Sequence, residues 1–333
     1  MARRPLTKER VAKGIGRRAR RVTQQRLRFG GDFQLDDRGS GSDRLMIVVA
    51  GFKDYLWPYS LARVAHFLPD GIDVCVVSAG VRRPELAALA EANGWSYLST
   101  ANRRVSAAQN IAIREFAAAR RILKIDEDIL VGEGCLQEML DGLDRIEAEG
   151  EFEPGFVAPV LNLNGFSYTM FLDTLGLTAE YRERFGGTPH ATMNVPVHGD
   201  GDAAAWIWSH SVPFDAVAAR FSSLPFSYVT VPLRFSIGLI LFRRELWESI
   251  GGLDAPLEAP GLGVDESHIC QECVDRSKVM VVLGNAFAGH FAFGPQEARM
   301  RAELPGLADG LQIQTPAAAD ASSIPSFGSD PDG

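Results

Sequence analysis

Asp126-Glu127-Asp128 closes the apolar run Ile122-Leu123-Lys124-Ile125. Residues two apart in an extended chain point the same way. Asp126 and Asp128 are therefore expected on one side at the end of a buried strand, with Glu127 turned away from them. Two neighbouring carboxylates are costly unless a cation neutralises them. Hard oxygen ligands suit Mg2+ or Mn2+, and such an ion can bridge two phosphates and take up charge on a leaving diphosphate. A solvated acidic turn is the plainer alternative for Asp-x-Asp met alone, and its place after an apolar strand favours the metal.

Two further groups lie downstream. Asp265-Glu266 follows Gly261-Leu262-Gly263-Val264. Adjacent carboxylates behind a glycine-rich loop suit a general base in a cleft, and the same acids also favour a helix N-terminus. His290, after the run Val279–Leu283, offers a neutral imidazole to a metal site that two Asp alone leave weak and open. Cys270 and Cys273 form a single CxxC near His268 with no second pair. Helical spacing puts both thiols on one face, which fits core packing better than zinc.

The elements that must position these residues follow from the apolar patterning. Leu45–Ala50 is a continuous apolar run, as in a strand buried on both faces. Ile72–Val77, Ser96–Ser99 and Ile122–Ile125 give three more strands. Helices are expected over 59–67, 84–93, 106–120 (Ser106 as N-cap) and 136–149. This alternation predicts an α/β fold with a mostly parallel, doubly wound sheet, in which ligands bind at the carboxyl ends of strands. Strands are expected again at 156–160, 228–231 and 237–242, and a short helix at 245–250 ends on Gly251-Gly252. Residues 165–225 are irregular and aromatic and read as an insertion or lid. Its Trp206 and Trp208 suit either sugar stacking or packing. Residues 314–333, rich in Pro, Ala, Ser, Asp and Gly, read as a disordered tail.

The chain has 333 residues, 46% hydrophobic, enough for one large α/β unit with an insertion. No stretch approaches the roughly 18 apolar residues of a membrane span. The N-terminus lacks the apolar segment of a secretory signal. The expected compartment is the cytoplasm, with a peripheral place at the inner membrane surface left open. Four cysteines are too few for a disulfide framework. Net charge is −8, yet residues 1–28 carry 11 Lys and Arg against the single acid Glu9, a charge of +10, which leaves −18 on the rest. A basic arm on an acidic body points to an anionic partner, such as membrane phosphates, nucleic acid or an acidic protein. A solvated terminus is the alternative. Asp36–Asp43 reads as a linker, which sets the extension at 1–43.

The order of strand, strand, Asn-containing helix, strand ending in Asp-x-Asp, Gly-Gly-Leu-Asp, acidic pair and His resembles the GT-A glycosyltransferases. It is most similar to the inverting family 2, over about residues 44–295. The resemblance implies one GT-A-like, Rossmann-like domain over 44–313 with helices on both faces of the sheet. It would comprise a nucleotide-sugar half (44–164), the insertion (165–225) and an acceptor half (226–313). It implies a nucleotide-diphosphate sugar as donor and Mn2+ or Mg2+ as cofactor. Asp126 would contact the ribose or the metal, Asp128 would ligate the metal, and His290 would be a further ligand. Gly251–Asp254 would face the acceptor. Glu266 aligns best with the catalytic base, and Asp265 rivals it because the usual order of the two acids is reversed. Asn110 resembles a position near the donor. Gln109 stands where the family has Arg, so Arg103 or Arg104 would supply the phosphate contact. Gly51 and Phe52 fall at the nucleobase, and Ser78 where an acid often reads uracil. The implied reaction is metal-dependent, inverting transfer of a sugar to the hydroxyl of a glycan, lipid-linked glycan, protein or modified nucleic acid. Two rivals remain. A nucleotidyltransferase would need a glycine-dense phosphate loop, which Gly51-Phe52-Lys53-Asp54 is not. A non-catalytic nucleic-acid-binding protein would rely on the basic arm.

Overall fold

The computed structural model describes residues 26–191, 195–254 and 263–314. Most of the basic arm, the tail expected to be disordered and Gly261-Leu262 lie outside the described residues.

One ten-stranded sheet organises the chain. Its strands are β1 (Phe33–Asp36), β2 (Arg44–Val49), β3 (Asp73–Ala79), β4 (Ser96–Thr100), β5 (Arg121–Asp126), β6 (Ile129–Val131), β7 (Pro154–Leu161), β8 (Tyr228–Val231), β9 (Leu239–Arg243) and β10 (Val279–His290). They lie in the order β1-β4-β3-β2-β5-β9-β7-β10-β6, with β8 also paired to β10. β2, β3, β4, β5, β7 and β10 run one way, and the other four run against them. The fold is thus the expected α/β class, its parallel strands interrupted by antiparallel β9 between β5 and β7.

The apolar strands bury both faces. Leu45, Ile47 and Val49 of β2 pack into one core layer, and Met46 and Val48 into the other. Helices α1 (Trp57–Phe67), α2 (Pro84–Ala92), α3 (Val105–Glu115) and α4 (Cys135–Glu149) connect the early strands. Leu61, Leu86 and Leu143 place α1, α2 and α4 on one face, while Ile111 of α3 packs on the other. In α4, Leu136, Met139, Leu140, Leu143 and Ile146 recur at helical spacing and are buried, and the helix ends on Gly150 at φ 68°.

The chain runs β2 to β3 to β4 in one direction, then returns to the other side of β2 to form β5. The carboxyl ends of β2 and β5 therefore flank a topological switch point, where doubly wound sheets open a ligand crevice.

The structure departs from the sequence expectations in four places. Phe33–Asp36, inside the expected extension, pairs antiparallel with β4. The Asp73 carboxylate accepts hydrogen bonds from the backbone of Ser40, Gly41 and Ser42, so the expected linker is tied down. The expected lid is helical: α5 (Tyr168–Leu175), α6 (Thr178–Phe185), α7 (Pro196–Gly199), α8 (Gly201–Ser209) and α9 (Phe214–Ser222). Its aromatics are core: Phe221 stacks on Phe287 at 4.7 Å, and Trp206 and Trp208 are buried. On the face that carries α3, the expected short helix α10 (Arg244–Ser249) and α11 (Val264–Asp275) are joined by α12 (Glu297–Leu311), which was not expected and runs through Pro305. No helix among the described residues is long and apolar enough to cross a membrane.

Candidate active site

The three residues of the acidic motif have three different partners. Glu127, 4% exposed, accepts hydrogen bonds from the backbone N–H of Gly51 (2.9 Å) and Phe52 (2.8 Å) and from Trp57 Nε1 (2.6 Å). It turns away from its neighbours, as expected, and fixes the loop that leaves β2. Burial raises its pKa, and these hydrogen bonds only partly offset the rise.

Asp126 ends β5 on the face it shares with Lys124, by the two-residue period of a strand. Lys124, only 4% exposed, sits 2.6 Å from Asp126 Oδ2 and donates to the Ile237 carbonyl. Burial lifts the Asp126 pKa, Lys124 opposes the lift, and Asp128 adds to it.

The strand period stops at Asp126, so Asp128 takes its own partners. Its Oδ2 lies 2.6 Å from Lys53 Nζ and 3.4 Å from His290 Nε2. Burial disfavours the charged carboxylate, but His290 and Lys53 outweigh it and hold Asp128 well below the usual range. His290 is held from behind: Trp208 Nε1 donates to its carbonyl and Asn162 Oδ1 accepts its N–H. Its Nδ1 is buried with no hydrogen-bond partner among the described residues. A side chain at Gly289 would lie 2.5 Å from the Trp208 ring, so only glycine lets the indole reach His290. Among the described residues, no three His, Cys, Asp or Glu side chains converge to hold a metal ion. Asp126 and Asp128 feel each other's charge but pair with different lysines, Lys124 and Lys53.

Asp265 and Glu266 open α11. Asp265 Oδ2 accepts from Gln109 Nε2 at 3.2 Å, and Asp265 Oδ1 accepts from the Glu266 N–H. Glu266 pairs with Arg234 Nε at 2.6 Å. Burial nonetheless raises the Glu266 pKa, with Arg234 and Lys124 opposing and Asp265 assisting. Asp265 also weighs on Asp126. The acidic pair and the end of β5 therefore share one electrostatic neighbourhood, although about 140 residues separate them in sequence.

The remaining residues flagged by sequence fall as follows. Phe52 is 60% exposed beside the switch point. Ser78 Oγ bonds the Val81 carbonyl and the Tyr97 hydroxyl at the end of β3. Arg103 packs beside Gly80, and Arg104 precedes α3 with its N–H on Asn102 Oδ1. Asn110 is fully buried. Its Oδ1 accepts from Trp247 Nε1 and the Leu253 N–H, and its Nδ2 donates to the carbonyls of Arg28 and Leu253. Its bonding capacity is spent on shaping the Gly251–Asp254 loop. Cys270 and Cys273 are free thiols packed in the core, where burial pushes both up to about 12.

Sequence reasoning passed over Lys53, Lys124, Arg234 and Arg83. The Arg83 Nε is buried without a partner among the described residues, 3.9 Å from where a Cβ on Gly51 would stand. A signal existed for the first two: Lys124 interrupts an apolar strand, and Lys53 directly follows Gly51-Phe52.

No protein-family model matches the chain, and no curated protein matches it. Solved structures similar to it include the mannosyltransferase PcManGT from Pyrobaculum calidifontis in complex with GDP-Man and Mn2+. That match has 15% identity and a TM-score of 0.45, and covers 92% of this chain and 74% of that one. A mycobacterial protein matches at 17% identity and TM-score 0.40, over 84% of this chain and 78% of its own. S. aureus TarS 1–349 matches at 11% identity and TM-score 0.42, over 74% of this chain and 60% of its own.

Proposed function

We propose that the protein is a glycosyltransferase that takes a sugar from a nucleotide-diphosphate donor, with a divalent ion, and passes it to an acceptor hydroxyl with inversion. The observation that carries this reading is the meeting of three distant segments at one switch point: the Gly51-Phe52 loop, the Asp126–Asp128 motif and the Asp265-Glu266 pair. The exposed ring of Phe52 offers a stacking face for the base. Arg103, Arg104 and Arg83, on the loops after β3 and β4, supply cations for the phosphates.

The residues fit Mg2+ or Mn2+ as a two-ligand site. Neighbouring ligands of an octahedral Mg2+ lie about 3 Å apart, from bonds of about 2.1 Å, and Asp128 Oδ2 and His290 Nε2 are 3.4 Å apart. Such ions keep positions for phosphate oxygens and water. Asp126, held by Lys124, is left for the ribose. When bound, the ion would supply positive charge to the departing diphosphate.

The chain's own chemistry lies with the acids of α11. A carboxylate of Glu266 or Asp265 takes the proton of the acceptor hydroxyl as that oxygen attacks the anomeric carbon. The raised pKa of Glu266 suits that role, because it brings the base nearer the operating pH. Transfer or donor hydrolysis with Mn2+ tests the assignment. Asp128→Ala is expected to lower turnover at least tenfold, and undiminished activity would remove the metal assignment. Glu266→Gln or Asp265→Asn is expected to lower turnover by at least an order of magnitude, and if neither does, the inverting mechanism fails.

A further inference from the structure

The carboxylate that would ligate the metal already carries a cation of the protein's own. Lys53 Nζ lies 2.6 Å from Asp128 Oδ2, the oxygen that also faces His290, and 2.5 Å from the Ala292 carbonyl. A divalent ion on that oxygen would meet the ammonium at close range and be repelled. The backbone beside Lys53 is not free to withdraw, since Glu127 holds the N–H groups of Gly51 and Phe52. Only the four-carbon stem can move, and lysine is a compact point charge on a flexible stem.

We propose that Lys53 is a resident counter-ion of Asp128 that exchanges partners when the donor arrives, leaving Asp128 to the metal and moving to an oxygen of the donor's diphosphate. This rests on the donor reading above. The exchange leaves no buried charge alone at either stage. Without ligand, the buried Asp128 keeps a partner, which an isolated carboxylate in that setting requires. With ligand, a divalent ion would neutralise Asp128 and the diphosphate would neutralise Lys53, so each member of the broken pair gains a new partner. The device also makes metal binding depend on nucleotide: the ion alone must compete with Lys53, whereas the ion with a diphosphate gives Lys53 a new partner.

The test is binding rather than turnover. Mn2+ affinity is measured without nucleotide by electron paramagnetic resonance, and UDP and GDP affinity by calorimetry at saturating Mn2+. Lys53→Met is expected to bind Mn2+ alone at least tenfold more tightly than wild type and to bind the nucleoside diphosphate at least tenfold more weakly. Lys53→Arg, which keeps the charge, should leave Mn2+ affinity near that of wild type. Circular dichroism checks each variant, and Lys53→Gln replaces the Met variant should that one misfold. An unchanged Mn2+ affinity in the neutral variant overturns the proposal, and so does an unchanged nucleotide affinity. Wild type that binds neither UDP nor GDP sinks the donor reading instead, while the Mn2+ comparison still decides whether Lys53 guards Asp128.

Discussion

Glu127 shows how little a motif's spelling says about the work of each letter. It stands between two candidate ligands, yet its carboxylate serves the loop after β2, accepting from Gly51, Phe52 and Trp57. Removing it leaves the Gly51 N–H and the Trp57 indole buried without an acceptor, each worth about 1–3 kcal/mol. Glu127→Ala is therefore expected to lower unfolding free energy by about 3 kcal/mol in denaturant titration and to weaken nucleotide binding through the displaced loop. A variant as stable as wild type would show that the loop does not depend on Glu127. Sequence gave the direction of Glu127 from alternation but not its partners, because Trp57 is 70 positions away. Asp128 failed the same alternation rule because the strand ends at Asp126 and a turn follows.

Among the elements, α12 was the least legible. Pro305, Gly306 and Gly310 all argue against a helix there, and its amphipathic pattern is weak. Tertiary contacts hold it. Arg63 of α1, fully buried, donates to the carbonyls of Leu311 and Gln312 at its end, and also reaches Val131 O and Asp215. Its guanidinium lies 4.6 Å from the centroid of the Phe214 ring. Breaking a buried charged pair by removing one partner costs about 3–5 kcal/mol. Arg63→Met is expected to destabilise the protein by that amount and to raise proteolytic cleavage near residue 311. Loss of stability without such cleavage would assign Arg63 a role other than fastening α12. The helices of 165–225 were missed for a related reason: each is short, and the aromatics of α5 and α9 find their partner in Phe287 of β10.

Across the molecule, the end of the basic arm is built onto the Gly251–Asp254 loop. Arg28 pairs with Asp254 at 3.2 Å and donates to the carbonyls of Ile250 and Gly251, and Phe29 meets Trp247 edge-on at 5.7 Å. A side chain on Gly252 would strike the Phe29 ring at 2.7 Å. Arg28 and Phe29, the described end of the basic arm, therefore pack against Gly251–Asp254, the loop that the family resemblance turns toward the acceptor. Removing residues 1–25 while keeping Arg28 and Phe29 is expected to spare donor hydrolysis, to raise KM for an anionic acceptor and to flatten the salt dependence of transfer. Equal acceptor KM at low and high salt in the full chain would deny the arm that role.

The early strands, the helices between them and the candidate acids were legible in the residues alone, because burial on both faces and carboxylate pairs leave local signatures. The sequence did not determine which acids share a site. Asp126 draws on Lys124 two residues away, but Asp128 depends on Lys53 and His290, and Glu266 on Arg234, at separations that only the sheet order bridges. Charge pairs act through space, so their partners were settled when β5 came to lie between β2 and β9.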